Sequence, residues 1–339
     1  AGGAYVPIDP SLPQERLNWL LVGVRHACVR CGLGARAQSH GRPQTSSHRA
    51  RLMESPRRVI GETVGAQRAR GCIRVRNLYL RLHGPAQVRA AESSRPHPTT
   101  LRTTAAASNS VKPDRVLCVS SLSFDISVCN IFCMFRSGGC VIFPSLDRLN
   151  DPDHWLDVMQ ERSVTFWHSA PALMDALLEV TSERRYDRNS LRVALLGGDW
   201  IPLSQPKRAR AAFPRLRFVT AGGATELSID STFYPVDEID PAWRSIPYGR
   251  PLANQSALIL DADMALLPPG VPGELHLGGA GMGAGYMNRP ALTAEKFIPH
   301  PWPAVPGERL YRTGDLARYM PDGTIELLGR MDFQVKIRG

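Results

Sequence analysis

Strand-like and helix-like patterns alternate along residues 101–245, and this alternation constrains the fold more than any other feature of the sequence. Apolar runs that predict strands occur in RVLCVSSLSF, GCVIFP, TFWHSAP, LRVALLGGDW and RFVTAGGATE, and helical patterns occur between them in DISVCNIFCMFRSG, DPDHWLDVMQERSV, ALMDALLEV and SQPKRARAAFP. Strands connected by helices form a parallel sheet that is covered on both faces. We therefore expect an α/β core over 101–245.

The pattern becomes β-rich after about residue 246. Short apolar runs in SALILDADMALLPPGVPGELHLGG and GTIELLGRMDFQVKIRG are separated by Asp, Pro and Gly turns, as they are in hairpins. We expect a small β-rich subdomain over 246–330, followed by a hinge segment over 331–339.

Residues 23–100 differ from the rest of the chain. Residues 24–100 hold 15 of the 41 Lys and Arg residues, all of them Arg, and three of the 31 Asp and Glu residues, which leaves 26 basic and 28 acidic residues elsewhere. The net charge of +10 therefore belongs to one segment, which has few aromatic residues and no sustained helical or strand period. This composition predicts a poorly ordered segment. The lack of Lys and of interleaved aromatic residues argues against nucleic-acid binding.

Membrane, secretion and metal signals are weak. No run of apolar residues approaches the roughly 18 that a membrane-spanning helix needs, and the start AGGAYVPIDP lacks the basic and apolar regions of a signal peptide. The seven Cys residues have irregular spacing, and the CxxC at Cys28 and Cys31 lacks the second pair that a zinc site needs. We expect a cytoplasmic protein with no membrane contact.

Two short motifs suggest ligand binding. In TAGGATE (220–226) a predicted strand enters a Gly-rich turn, where the bare backbone can approach a flat or charged ligand. Thr225 offers a hydroxyl group to a phosphate, and Glu226 offers a hard oxygen to Mg²⁺. In YRTGDL the carboxylate of Asp315 follows a Gly turn and suits the two hydroxyl groups of a ribose. The segment GGAGMGAG imitates a dinucleotide loop, but no βαβ unit surrounds it, so we assign it no cofactor.

These motifs belong to a larger set that identifies a family. AGGAYVPIDP, SFDISV, GGATE, GELHLGGAGMGAGYMNRPALT, YRTGDL and GRMDFQVKIRG occur in the order and spacing of one family. On these segments the chain resembles the adenylation domain of a nonribosomal peptide synthetase, within the adenylate-forming, or AMP-binding, superfamily. The resemblance covers 1–22, as the start of the core, and about 101–339. It implies the N-terminal core of that fold, with parallel and mixed sheets flanked by helices, then the β-rich subdomain, with the small C-terminal subdomain and its lysine absent.

The resemblance also implies a reaction and its partners. The carboxylate of an amino acid attacks the α-phosphate of ATP to give aminoacyl-AMP and pyrophosphate, and the phosphopantetheine thiol of a carrier domain then takes the acyl group. The implied cofactors are ATP and Mg²⁺, with phosphopantetheine supplied by the partner. The implied partners are the peptidyl carrier and the condensation or cyclisation domains of the same megasynthase.

The resemblance assigns roles to single residues of this chain. The implied catalytic residues are Thr225, at the α-phosphate, and Glu226, at the Mg²⁺. The implied nucleotide-binding residues are Ala221, Gly222, Gly223, Asp315 and Arg330, with Asp315 at the ribose. Asp332 is the implied hinge residue. Most relatives carry an aromatic residue where Gly222 stands, so adenine stacking on that side chain is lost here.

The implied amino-acid pocket is lined by Asp125, Ile126, Cys129, His168, Leu195, Gly197, Ala221, Ile229 and Asp230. Asp125 would pair with the α-ammonium group, and a helix N-cap is the alternative for this residue. Asp230 needs a partner if it is buried. His168, a cationic or hydrogen-bonding substrate, and solvent are the alternatives. The segments GDWIPL, GGATELSI and DPAWRSIPYGRPLANQ resemble a branch that often activates cysteine or other residues handled by cyclising modules. This hint disagrees with the cationic or hydrogen-bonding substrate that Asp230 suggests, so the amino acid stays open.

The phosphate loop of the family, of the form YTSGSTGxPKG, belongs where residues 78–88 stand. The sequence RVRNLYLRLHGPAQ (74–87) contains nothing like it. We wrote plausible codons for residues 74–87, dropped the first base and added the first base of the Val88 codon. In this shifted reading frame the segment translates as AYVIYTSGSTGPPK. The same shift of frame converts GVRHA at 23–27 to GSGTR. We therefore expect that residues of about 23–95 are translated in the wrong reading frame, and that this chain is a fragment without adenylation activity as it stands.

Other functions remain alternatives at the level of sequence. One is an aryl-acid or acyl-CoA ligase of the same superfamily, for which Asp125 would have no amino group to bind. Another class is a non-catalytic relic, or an Arg-rich nucleic-acid-binding protein that uses 24–100.

Overall fold

The computed structural model describes residues 4–5, 13–15, 76–81, 87–92, 114–184, 186 and 190–331. Its strands are β1 (Ala4–Tyr5), β2 (Arg76–Arg81), β3 (Gln87–Glu92), β4 (Arg115–Leu117), β5 (Cys140–Ile142), β6 (Phe166–Ser169), β7 (Val193–Gly197), β8 (Arg217–Gly222), β9 (Thr232–Pro235), β10 (Arg250–Pro251), β11 (Gln255–Leu260), β12 (Gly273–Gly279), β13 (Gly285–Tyr286), β14 (Phe297–Pro299), β15 (Arg309–Tyr319) and β16 (Ile325–Arg330). Its helices are α1 (Asp125–Ser137), α2 (Pro152–Arg162), α3 (Pro171–Glu183), α4 (Gln205–Ala212) and α5 (Pro290–Lys296), with 3₁₀ turns at Leu146–Arg148 and Thr225–Leu227. One compact unit comprises residues 1–9 and 73–339 and contains all of these elements, and a second unit comprises residues 10–72.

One sheet has seven strands in the order β10-β9-β8-β7-β6-β4-β5. Strands β5, β4, β6, β7 and β8 run parallel, and β9 and β10 add an antiparallel edge. Along β7, Ala194 and Leu196 belong to one buried cluster, whereas Val193 and Leu195 belong to another. Because successive side chains of a strand point to opposite faces, both faces of this sheet are covered. The predicted parallel α/β core is confirmed.

Local signals set the ends of the helices around this sheet. The carboxylate of Asp151 caps α2, because its Oδ1 accepts hydrogen bonds of 3.0 and 3.3 Å from two backbone N–H groups of the first turn. Helix α1 begins at Asp125, as predicted, with Phe124 as its N-cap residue. It ends before Gly138, whose φ of 71° is a left-handed conformation that glycine adopts without strain.

A second sheet has five antiparallel strands, in the order β11-β12-β15-β14 with β16 paired to β15. Backbone hydrogen bonds join it to the seven-stranded sheet. The N–H of Tyr248 donates to the carbonyl of Ile325 at 2.8 Å, and the N–H of Ile325 donates to the carbonyl of Gly249 at 2.9 Å. The predicted β-rich region is therefore present. Its boundary at 245/246 stays a prediction, since both sheets lie in one compact unit and β10 belongs to the seven-stranded sheet.

A third sheet contains strands from 23–100, where the apolar pattern indicated none. Strands β2 and β3 pair antiparallel, β1 pairs parallel with β2, and β13 pairs antiparallel with β3. Ladder hydrogen bonds join backbone groups, so they do not require the apolar period that this segment lacks. The other residues of 23–100 lie outside the described residues, and the predicted lack of order there stays a prediction.

Candidate active site

Two adjoining pockets lie beside residues that follow the carboxyl ends of β4, β6, β7 and β8, where ligands bind in open α/β sheets. The Asp125 pocket, of about 220 Å³, is lined by residues that include Asp125, Ile126, Gly197, Thr225, Ile229 and Asp230. The Asp315 pocket, of about 330 Å³, is lined by residues that include Trp200, Gly222, Tyr248, Asp315 and Arg330. Gly198, Ala221 and Gly223 line both pockets, which therefore share a wall.

The backbone between β8 and β9 forms a tight loop that builds this wall. The N–H of Ser231 donates to the carbonyl of Gly222 at 2.6 Å. A Cβ atom on Gly223 would collide with the carbonyl oxygen of Ile229, so only glycine fits there. Ser228 and Ile229 have φ angles of 62° and 83°, a left-handed conformation that is rare for a β-branched residue. Such strain persists only where the surrounding structure imposes it, often at functional sites.

Glu226, in the 3₁₀ turn of this loop, is held by two tyrosines. It is 3% exposed. Its Oε1 accepts a hydrogen bond of 2.7 Å from the hydroxyl group of Tyr286 and one of 2.8 Å from that of Tyr311. The sequence motifs identified Glu226 but neither tyrosine, because these residues lie 60 and 85 positions further along the chain.

The glycine-rich segment 278–285 supports the same loop. The N–H of Gly283 donates to the carbonyl of Glu226 at 2.8 Å, and the hydroxyl group of Ser228 donates to the carbonyl of Gly281 at 2.8 Å. A Cβ atom on Gly281 would collide with the carbonyl oxygen of Leu227. Strand β13, and no helix, follows directly. These glycines therefore allow close backbone packing against the Glu226 loop.

Two carboxyl groups line the Asp125 pocket. Asp125 is half-buried in the first turn of α1, and Phe124 takes the N-cap position that was the alternative role for Asp125. Asp230 is 4% exposed, so the alternative of a solvated carboxylate is wrong, and its Oδ2 has no hydrogen-bond partner within the described residues. Burial, and then the charge of Asp125, raise the pKa of Asp230 to about 7.

His168 does not supply a partner for Asp230. Its Nδ1 lies 3.0 Å from Asn130 Oδ1, and its Nε2 has no hydrogen-bond partner within the described residues. Burial lowers the pKa of His168 to about 3, so the ring is neutral and Nδ1 carries the proton that Asn130 accepts.

The structure brings most of the predicted pocket residues together. The predicted residues that line the Asp125 pocket are Asp125, Ile126, Gly197, Ala221, Ile229 and Asp230. Cys129, His168 and Leu195 do not line it. All three are buried, with Leu195 in a core cluster and Cys129 Sγ 3.4 Å from Cys133 Sγ.

Asp315 and Arg330 are paired across β15 and β16. Arg330 Nη1 donates to Asp315 Oδ1 and to the carbonyl of Thr313, each at 2.9 Å. Gly314, with a φ of 72°, lies inside β15, where a turn was predicted, and the pairing with β16 is irregular just after Asp315. Such an irregularity in a strand often re-aims a side chain beside a site.

Several predicted residues lie outside the described part of the chain: Asp332, Cys28, Cys31 and residues 82–86 of the expected phosphate loop. Within the described residues, no group of three or more His, Cys, Asp and Glu side chains could hold a metal ion. None of the described helices combines the length and the apolar character needed to cross a membrane.

Comparison with known proteins agrees with this geometry. The family model for "AMP-binding enzyme" matches residues 94–287. Pyochelin synthetase PchF of Pseudomonas aeruginosa is 45% identical over 227 residues, which are 67% of this chain and 12% of PchF. Phenyloxazoline synthase MbtB of Mycobacterium sp. is 37% identical over 352 aligned residues, which cover 100% of this chain and 28% of MbtB. The chain thus spans less than a third of the length of these curated relatives.

Solved structures give the same result for the fold. The nonribosomal peptide synthetase FmoA3 in its AMPPNP-bound form has a TM-score of 0.69 and 38% identity, over 76% of this chain and 27% of that one. Its form bound to α-methyl-L-serine-AMP has a TM-score of 0.67 and 39% identity, over 76% and 29% of the two chains. The predicted core of an adenylate-forming enzyme is confirmed. By sequence and by fold, the chain belongs to the AMP-binding enzyme family, where it is similar to adenylation domains of nonribosomal peptide synthetases.

Proposed function

We propose that this chain contains the amino-acid-activating site of a nonribosomal peptide synthetase. A carboxylate oxygen of the amino acid attacks the α-phosphorus of ATP, the bond to the β-phosphate oxygen breaks, and aminoacyl-AMP and pyrophosphate form. The observation that carries the proposal is the wall that the two pockets share at Gly198, Ala221 and Gly223. An acid in one pocket and a nucleotide in the other meet beside Thr225. Catalysis of this kind consists mainly of positioning and charge stabilisation.

The Asp315 pocket suits the nucleoside part of ATP. The backbone of 221–223 and the ring of Tyr248 line this pocket, and a flat ring can pack against them. The carboxylate of Asp315, fixed by Arg330 at 2.9 Å, offers acceptors to the two ribose hydroxyl groups. The AMPPNP-bound form of FmoA3, a relative in sequence and fold, supports ATP as the nucleotide.

Mg²⁺ suits Glu226. This ion is usually held by one or two carboxylates together with substrate phosphates, so it does not need a cluster of protein ligands. Glu226 follows Thr225, which lines the Asp125 pocket, and two tyrosine hydroxyl groups fix the orientation of the Glu226 carboxylate. Bound there, the ion would neutralise phosphate charge, and the Thr225 hydroxyl group would donate to the α-phosphate.

The Asp125 pocket suits an α-amino acid. Asp125 would pair with the α-ammonium group, for which a plain acid has no counterpart. Asp230 is buried and His168 is neutral and bonded to Asn130, so the partner left for Asp230 is a cationic or hydrogen-bonding group of the substrate. Further proteins enter the reaction after this step. The acyl group would pass to the phosphopantetheine thiol of a peptidyl carrier domain, beside condensation or cyclisation domains of the same synthase.

We also propose that residues of about 23–95 are read in the wrong frame. The match to the family model begins at residue 94, next to the end of this segment. In-frame residues would supply the phosphate loop whose donors the transferring phosphoryl group needs. The DNA sequence across codons 20–100 tests this point, and an intact frame without compensating insertions or deletions would contradict it.

ATP–pyrophosphate exchange tests the proposed activity. The protein to assay has the frame restored over 23–95 and carries the C-terminal subdomain of the family, and the assay covers all common amino acids. We expect exchange with an α-amino acid, and little or none from the chain as it stands. Preference for an aryl acid would favour the ligase alternative, and no exchange with any acid would contradict the proposal in favour of a relic.

A further inference from the structure

The ring of Tyr248 occupies the space that a side chain on Gly222 would fill. A Cβ atom built on Gly222 would collide with ring atoms Cε2 and Cζ of Tyr248. Gly222 ends β8, whereas Tyr248 precedes β10, so the two residues reach this point from different strands. An aromatic ring at one of these positions therefore excludes a ring at the other.

Backbone contacts on both sides hold Tyr248 in place. Its N–H donates to the carbonyl of Ile325 at 2.8 Å, and its carbonyl accepts a hydrogen bond of 2.6 Å from the hydroxyl group of Thr232. The half-buried ring lines the Asp315 pocket. Burial, and then the nearby carboxylates Asp315 and Asp230, raise the pKa of Tyr248 well above its usual value, so the phenol stays neutral.

We propose that Tyr248 is the platform on which the adenine ring stacks, in place of a side chain on Gly222. This rests on the proposed function, because it places a nucleotide in the Asp315 pocket. Tyr248 and Asp315 line the same pocket, so a base whose ribose binds to Asp315 can contact the Tyr248 ring. Every base has a π-face that stacks on an aromatic ring, and a fixed ring loses little freedom when it does so.

Trp200 is the other aromatic residue among those that line this pocket, and it is a poorer platform. Its side chain is 46% exposed. A ring that stays partly exposed to solvent buries less apolar surface when a base stacks on it than a ring that is packed against backbone. Its contribution to the affinity for the base is therefore smaller. Trp200 therefore serves as the matched control for Tyr248.

The test measures binding of AMP and of ribose 5-phosphate to the full chain by calorimetry, since neither ligand needs the loop for the β- and γ-phosphates. Tyr248→Leu is expected to weaken AMP binding about tenfold or more while it changes ribose 5-phosphate binding less than about twofold. Tyr248→Phe keeps the ring, and Trp200→Leu keeps the platform, so each should change AMP binding less than about threefold.

Provided that AMP binds to the unsubstituted chain, three results would contradict the assignment of Tyr248 as the adenine platform. The first is unchanged AMP affinity in Tyr248→Leu. The second is an equal loss of AMP and ribose 5-phosphate affinity, which indicates a structural role. The third is a larger loss in Trp200→Leu. If the unsubstituted chain binds no AMP, the placement of a nucleotide in its Asp315 pocket is wrong and this inference fails with it, whereas pyrophosphate exchange by the frame-restored protein decides the proposed function separately.

Discussion

The hydroxyl group of Tyr286 donates a 2.7 Å hydrogen bond to Glu226 Oε1, although 60 positions separate the two residues. Tyr311 donates to the same oxygen at 2.8 Å. The carboxylate proposed to hold Mg²⁺ is therefore oriented by the fold itself, before any ligand arrives.

Tyr286→Phe is expected to lower the free energy of unfolding by about 1.5–3 kcal/mol, the usual contribution of a hydrogen bond to a charged group. Urea denaturation measures the change. The control is Tyr319→Phe, which removes a 3.0 Å hydrogen bond to the neutral carbonyl of Ala257 and should cost about 1 kcal/mol. Equal losses in the two variants would contradict a special role for the Tyr286 hydroxyl group.

Asp230→Asn is expected to flatten the pH dependence of stability. Because burial raises the pKa of Asp230 from 3.8 to about 7, the folded protein binds this proton more tightly than the unfolded chain does. The stability it contributes is fully present below about pH 4 and is lost as the pH rises through about 7, by roughly 4 kcal/mol in all. The unfolding free energy of the Asn variant should therefore rise relative to that of the unsubstituted protein between about pH 4 and pH 7.

Urea denaturation over a pH series measures this difference. Asp263→Asn, which replaces an exposed carboxyl group, is the control variant measured over the same pH series. Profiles of Asp230→Asn and the unsubstituted protein that run parallel would contradict the buried, shifted carboxyl group.

Asp125→Ala is expected to abolish amino-acid activation in the frame-restored protein. An α-ammonium group left without its charged partner in a pocket costs several kcal/mol, so kcat/KM in pyrophosphate exchange should fall roughly a hundredfold or more. Asp230→Asn should instead change which amino acid is preferred and affect the best rate less. Full activity of Asp125→Ala on the preferred amino acid would show that the pocket is wrongly assigned.

Asp315→Ala is expected to remove the preference of the protein for AMP over 2′,3′-dideoxy-AMP. The carboxylate is the proposed acceptor for both ribose hydroxyl groups, and its loss should weaken AMP binding about tenfold or more while leaving the dideoxy compound little affected. Calorimetric titration with both nucleotides checks this. Asp322→Ala, at an exposed turn, is the control, and a preference that survives in Asp315→Ala would refute the ribose site.

The sequence predicts features that depend on neighbouring residues better than those that depend on distant ones. The start of α1 at Asp125 and the loop at Glu226 follow from local patterns and motifs. The Tyr286 contact and the meeting of Tyr248 with Gly222 depend on how strands from distant parts of the chain are ordered in the sheets. The glycine at 222, where the family resemblance implies an aromatic residue, was the one signal that a ring from elsewhere fills that space.

The sequence also predicts pocket residues that do not line the Asp125 pocket in the structure. His168 and Leu195, on β6 and β7, are fully buried. Successive residues of a strand point to opposite faces, and in a strand that is apolar on both faces the sequence pattern does not indicate which face adjoins a pocket.

The hydrogen bonds that Tyr248 and Gly249 form with Ile325 connect two sheets at the Asp315 pocket, where the nucleotide is proposed to bind. Strand β16 also supplies Leu327, Gly329 and Arg330 to this pocket, so a substitution elsewhere on the strand that shifts its register would move them and alter nucleotide affinity. Coupling of this kind is reciprocal, so a bound nucleotide must strengthen the connection between the sheets by the same free energy with which that connection favours the nucleotide. Screens for binding defects in this protein should therefore recover positions on β16 that never touch the ligand.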